Sequence, residues 1–177
     1  GGFMVPQDGP TALKYLTATY DLANSEKDDE LLNTFCKEIM GVKDWMTGLK
    51  EGTELWVYGH AGFQNLPGWE VIDKYRVRGK KRSGDCLFDL YRYAVEEKRN
   101  IPVMLETPAV QLIQKDGQVV GAVAKNNGKN INIKANKAVI LTTGGYEFDP
   151  ESLRTYAQGE NYHALGNPGN TGDGLRM

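Results

Sequence analysis

The sequence predicts an α/β fold, with helix and strand patterns largely segregated along the chain, and three observations carry that prediction. Apolar residues recur at three- and four-residue spacing through the first part. Period-two runs then flank two glycine turns. Finally a continuous apolar run, Ala138-Val139-Ile140-Leu141, leads directly into Thr142-Thr143-Gly144-Gly145. These are the marks of amphipathic helices, of strands with one buried face, and of a strand buried on both faces. A length of 177 residues with 40% hydrophobic and 25% charged side chains suits one folded domain and argues against disorder or a fibrous repeat.

The helical pattern begins with Leu13, Leu16 and Tyr20, and continues with Leu31, Leu32, Phe35, Cys36, Ile39 and Met40. Asp28 or Asp29 is placed to cap the second helix, and Gly41 or Gly48 to end or interrupt it. From Gly52 to Gly84 the pattern dissolves into Gly, Pro, aromatic and basic residues, which reads as a long functional or partner-packed loop. A third helix is expected from about Asp85 to Lys98, with Leu87, Leu90, Tyr91 and Ala94 on one face.

Period two takes over next. Ile101–Leu105 reads as a short strand, and Ala109–Gln114, Val119–Ala124 and the Ile131/Ile133 segment as a three-stranded β-meander. Its turns are Asp116-Gly117 and Asn127-Gly128, pairs suited to two-residue hairpins because both central positions need positive φ. The apolar run at 138–141 is expected to be a parallel-sheet strand that delivers the glycine pair, and Gly159–Gly174 a loop rich in Gly and Asn.

Composition narrows the function classes. With 21 basic and 23 acidic side chains the formal charge is −2, so no electrostatic term favours a nucleic-acid backbone. No apolar run reaches the length of a membrane span, and the start lacks the pattern of a signal peptide, so no membrane segment and a cytoplasmic location are expected. Cys36 and Cys86 lie far apart and read as buried free thiols. His60 and His163 have no ligand spacing around them and read as solvated or capping residues in Gly-rich loops, so no metal site is expected. The basic run Arg76–Arg82 reads as a solvated edge, and Trp45, Trp56 and Trp69 as core-closing aromatics.

The order of helix, strand, meander, buried strand, Thr-Gly-Gly and Gly169-Asn170-Thr171-Gly172-Asp173-Gly174 resembles the flavoprotein family of fumarate reductase, succinate dehydrogenase, urocanate reductase and 3-ketosteroid dehydrogenase. The family's "AVILATGG" segment is matched by Ala138–Gly145 and its "NTGDG" segment by Asn170–Gly174, while Gly1-Gly2-Phe3-Met4-Val5-Pro6 is similar to its "GG…W-x-P" segment. The resemblance implies an FAD-binding domain of the FAD/NAD(P)-binding type, with a helical insert and the meander. It implies FAD contacts at Gly1 and Gly2 near the flavin, at Ala109 or Val110 beside adenine, at Thr143, Gly144 and Gly145 beside the adenosine and pyrophosphate, and at Asp173.

For Asp173 the residue chemistry allows two roles, a carboxylate accepting from ribityl or ribose hydroxyls and a helix cap. Thr142 departs from the family's usual Ala, and the hydroxyl a catalytic tyrosine would need near Pro67-Gly68 falls at Gly62 or Phe63. The GxGxxG fingerprint appears nowhere in the chain, and in the family the capping domain with its catalytic His and Arg lies beyond the segment matched by Asp173. Residues 1–177 are therefore expected to be the central part of one FAD-binding domain, with no catalytic residue of its own. The implied whole enzyme moves a hydride between flavin and a carbon beside a carbonyl or carboxylate, on a small-molecule substrate such as a dicarboxylate or a steroid-like enone. The other reading is an FAD- or nucleotide-binding or assembly module without catalysis. A homo-oligomer through an exposed sheet edge is also expected.

Overall fold

The structure, a computed structural model, describes residues 1–60, 62–157 and 163–177. Its Cα positions divide into two compact units, Gly1–Val103 and Met104–Met177.

In the first unit the chain opens with strand β1 (Phe3–Pro6) and enters helix α1 (Gly9–Leu22). Asp8 caps α1 by accepting from the Thr11 amide at 2.7 Å, and Pro10 occupies the first turn, where its missing N–H costs nothing. Helix α2 (Asp29–Glu38) is capped by Asp28, which settles the choice between the two aspartates, and it buries Leu32 and Cys36. A 3₁₀ turn at Ile39–Gly41 interrupts the helical run before α3 (Val42–Gly48).

The segment read as a long loop is in fact two strands joined by a turn: β2 (Leu55–His60) and β3 (Ile72–Val77). β3 is the centre of an antiparallel sheet in the order β1-β3-β2. Tyr75 and Val77 alternate with Lys74 and Arg76, so period two is present. It is concealed by the adjoining basic residues and by a register shift between Val57 and Gly59. Helix α4 (Ser83–Arg92) follows and runs into a π turn at Tyr93–Glu97. The core of this unit is Met46, Leu49, Val77, Leu90 and Ala94, with Phe3, Val42, Leu55 and Leu87 packed around it. Met46, at 1% exposure, is the most completely buried large side chain of the described residues.

In the second unit β4 (Ala109–Lys115), β5 (Gln118–Asn126) and β6 (Lys129–Lys134) form an antiparallel sheet in chain order. Asp116, Gly117, Asn127 and Gly128 have φ of 51°, 77°, 49° and 75°, the paired positive values of the favoured hairpin turns. Gly121 lies where a Cβ would collide with the Ile133 carbonyl, so the β5–β6 approach requires glycine. Helix α5 (Pro150–Tyr156) starts from Asp149, which accepts from the Ser152 amide at 3.3 Å, and the chain ends in the short helix α6 (Asp173–Arg176).

Two expected strands are absent. Residues 101–105 and 138–141 carry no strand, and both sheets of the described residues are antiparallel. Ile140 is 82% exposed and Leu105 79% exposed. A doubly buried strand exists only where neighbours pair both of its edges, and no described strand pairs with either segment. Of the Gly- and Asn-rich stretch, residues 159–162 lie outside the described residues, and 163–172 is irregular. Among the described residues no helix is long and apolar enough to cross a membrane.

Candidate functional site

The two motif loops of the second unit are packed against each other. Gly144, at φ +77°, has the Asn170 side chain where its Cβ would stand. Gly172 donates its amide to the Gly145 carbonyl at 3.0 Å, and Phe148 donates to the Asn170 carbonyl at 3.0 Å. A Cβ on Gly174 would strike the Thr143 hydroxyl. Glycine is thus required on both loops for a close backbone approach, which simple turns would not need. Asn170 Nδ2 donates to Glu147 at 2.6 Å, and that bond holds the Glu147 carboxyl below its ordinary value.

Asp173 stands at the first position of α6, after Gly172 at φ 78°. The cap role is therefore not its own. Its carboxylate accepts from Thr171 Oγ1 and from Arg176, both at 3.2 Å, and the side chain is 57% exposed. The same guanidinium reaches Asp149 at 2.8 Å and the Thr171 carbonyl. Asp149 is held below the ordinary carboxyl value first by the Ser152 hydroxyl at 2.5 Å, and Arg176 adds to this. An open cleft of about 290 Å³ is lined by Pro108, Ala109 and Val110 on one side and by Asp173 and Arg176 on the other. Three of the residues singled out in the sequence, Ala109, Val110 and Asp173, thus share one cleft, while Thr143, Gly144 and Gly145 buttress the loop that carries Asp173.

In the first unit Gly1 and Gly2 sit against the β1-β3-β2 sheet. A Cβ on Gly1 would collide with Gly84, and one on Gly2 would lie 2.9 Å from the Tyr75 carbonyl and 3.0 Å from the Tyr58 hydroxyl. The Arg76 guanidinium stacks over Tyr58 at 3.9 Å, so the basic run begins with a packed residue. Its later members are paired at the surface, Arg78 with Glu54, Lys81 with Asp89 and Arg82 with Asp85. Cys86 is a free thiol packed against the core but only partly buried, and Trp45, 55% exposed, does not close the core as expected. Cys36 is buried, and burial pushes its thiol up.

His60 is the residue whose place differs most from the sequence reading. It is the last residue of β2 and stands directly opposite Asp73 on β3. Its Nδ1 lies 3.1 Å from Asp73 Oδ1, and its ring packs edge-on against Trp69. Asp73, 6% exposed, also accepts from Gln7 Nε2 at 3.2 and 3.3 Å and from the Tyr75 hydroxyl at 3.2 Å. Burial, and then the Asp73 charge, push the Tyr75 hydroxyl up from its ordinary value. A carboxylate buried this deeply is tolerated because three donors surround it.

The fold class can be placed among solved structures. The chain superposes over 99% of its length on a 3-ketosteroid Δ1-dehydrogenase from Sterolibacterium denitrificans, with a TM-score of 0.77 at 17% identity and 46% of that chain covered. It also superposes over 96% on a 3-ketosteroid Δ4-(5α)-dehydrogenase from Rhodococcus jostii, with a TM-score of 0.73 at 17% identity and 40% of that chain covered. Residues 8–177 match the FAD binding domain family, to which the chain belongs, and FAD is its cofactor. A probable fumarate reductase, Ifc3 of Shewanella frigidimarina, is 32% identical over 112 residues, which is 62% of this chain and 19% of that protein. The chain therefore spans about a fifth of that curated relative and less than half of each solved chain. At 17% identity the likeness to the two dehydrogenase structures is one of fold.

Proposed function

We propose that this chain is the FAD-binding domain of an oxidoreductase that reduces or forms a C=C bond beside a carbonyl or carboxylate. The observation that carries the proposal is the cleft that joins Ala109 and Val110 to Asp173, on a loop fixed by the Thr143–Gly145 segment. Small residues on one wall admit a flat ring, and a carboxylate on the other accepts from hydroxyls, so the residues present fit the adenosine and polyol parts of FAD. The peptides at Ala109 or Val110 meet the adenine, Asp173 holds ribose or ribityl hydroxyls, and Gly144 and Gly145 keep side chains out of the way of the pyrophosphate. When bound, FAD supplies the two-electron chemistry; the protein orients the partners and excludes water. The fumarate reductase name of the relative and the steroid dehydrogenase titles of the solved structures support a small conjugated acid or enone as substrate.

Two measurements test this reading. FAD is titrated into the protein and into Asp173→Ala, with flavin fluorescence as the signal. Charged hydrogen bonds of about 1.5–3 kcal/mol predict affinity weakened by about 10- to 150-fold. Because Asp173 makes only exposed contacts, the far-UV circular dichroism should be unchanged. Equal affinity for both proteins would remove Asp173 from the cofactor site. For the reaction, the dithionite-reduced, flavin-loaded protein is mixed with fumarate, and the oxidised protein with 4-androstene-3,17-dione. Reoxidation in the first case or bleaching in the second supports C=C chemistry, and inertness to both refutes it.

A further inference from the structure

The first unit holds a cavity that the cofactor cleft of the second unit does not explain. It lies between α1, α2 and the β1-β3-β2 sheet and has a volume of about 210 Å³. Ala12 and Leu16 of α1, Cys36 of α2, Ile39 just after it and Ile72 of β3 form its walls, and no charged residue lines it. Native interiors contain few voids larger than a water molecule, so a space of this size is a defect in the core unless something fills it. The sequence keeps it open: Ala12, 3% exposed, and Gly62 place little or no side chain where a leucine would close the gap. Water is a poor occupant, because a buried water needs about two to four polar partners and the lining side chains offer one hydroxyl and two weakly polar sulfurs, those of Met4 and Cys36.

That hydroxyl belongs to Tyr15. The residue is 6% exposed, and its oxygen accepts from the Phe63 amide at 3.2 Å, which ties the loop after β2 to α1. A phenol also donates, and among the described residues nothing accepts the Tyr15 proton. A nearly buried side chain therefore carries one unmatched donor on the wall of an apolar cavity. At the mouth stand Phe35 and Phe63, 49% and 54% exposed, so the way in from solvent is apolar as well.

We propose that this cavity binds a small, uncharged ring molecule with one hydrogen-bond acceptor, such as an aryl ketone, and that the acceptor takes the Tyr15 proton. Neither FAD nor C=C chemistry enters the construction of the site, so its test and theirs fail separately. Size sets the ligand class: a cavity of about 150 Å³ holds benzene, and the same packing gives about eight or nine non-hydrogen atoms here. Charge sets it too, since a carboxylate would lose its hydration and meet no cation.

The test titrates three related probes into the protein: acetophenone, ethylbenzene, which is the same skeleton without the oxygen, and benzoate, which carries a charge. Methyl NMR reports the place of binding. The signals of Met4, Leu16, Ile39 and Ile72 should move saturably with acetophenone and with ethylbenzene, those of Ile131 and Ile133 in the second unit should stay, and benzoate should move none. In Tyr15→Phe, acetophenone should bind at least about 5-fold more weakly while ethylbenzene changes by less than about 2-fold, because only the ketone loses a partner. No saturable shift with either neutral probe overturns the site, and benzoate binding as tightly as acetophenone overturns the ligand class. Tyr15→Phe affecting both neutral probes alike overturns the donor role. Should that variant fail to fold, the carbonyl stretch of acetophenone bound to wild type decides: it should lie below its value in an alkane solvent, and an unshifted band overturns the hydrogen bond.

Discussion

Substitution Gly144→Ala tests whether the two motif loops are locked together. Two costs follow from the structure. Gly144 sits at φ +77°, where an alanine costs about 1–2 kcal/mol. Its new methyl would also occupy the place of the Asn170 amide, which is held by Glu147 and cannot turn aside without losing that partner; overpacking of this kind costs about 1–3 kcal/mol. A total of about 2–5 kcal/mol is a change of about 25- to 4,000-fold in a local opening equilibrium. Hydrogen exchange reads it directly at two amides, Gly172, bonded to the Gly145 carbonyl, and Phe148, bonded to the Asn170 carbonyl. Both should exchange faster by that factor, while the β4–β5 amides hold their rates. The double substitution Gly144→Ala with Asn170→Ala removes the collision and should recover all but the backbone cost, leaving about 5- to 30-fold. Acceleration of the two amides by less than about 3-fold in the single variant would refute the interlock and reduce Gly144 to an ordinary turn residue.

Other outcomes follow from the same geometry. Met46→Ala empties the centre of the first unit's core and should destabilise it by about 2–5 kcal/mol, measurable by urea denaturation followed by tryptophan fluorescence. Acidification should loosen the contacts between residues 145–152 and 167–176: Asp149 and Glu147 are held below their ordinary values of 3.8 and 4.5 by Ser152 and Asn170 respectively. Carboxyls depressed in the folded state contribute stability in full above those ordinary values and lose it as pH falls through the folded ones. Exchange at Gly172 and Ser152, corrected for intrinsic rates, should therefore be level from pH 5 to 8 and rise below about pH 4. A Ser152→Ala variant should begin to loosen at higher pH. Identical onsets in the two proteins would contradict the clamp.

Local chemistry made much of the second unit legible. Asp-Gly and Asn-Gly have few alternatives to a positive-φ turn, and Asp149 before a proline and a helical run is a cap by its own hydrogen-bonding capacity. The packing of Gly144 against Asn170 was not legible in the sequence, because neither glycine pair alone distinguishes a turn from a close approach. The run at 138–141 misled for a different reason. Hydrophobicity states that a segment prefers burial but does not supply the strands that would bury it, and here none of the described strands pairs with it.

The same limit explains how the Asp73–His60 pair was missed, and what could have found it. Read by composition, residues 72–82 are a basic surface segment. Read by period two, Ile72-Asp73-Lys74-Tyr75-Arg76-Val77 is a strand whose inward positions are 73, 75 and 77, and the first of these is an aspartate. A charged residue in the inward register of an otherwise apolar face is a local contradiction. Sequences retain such contradictions where a site needs them. The contradiction identifies the carboxylate but not its partner, because the partner is set by strand register: a register shift between Val57 and Gly59 brings His60, and not its neighbour, opposite Asp73. The bulge that hid β2 from a periodicity reading is therefore the same feature that delivers the imidazole to its carboxylate.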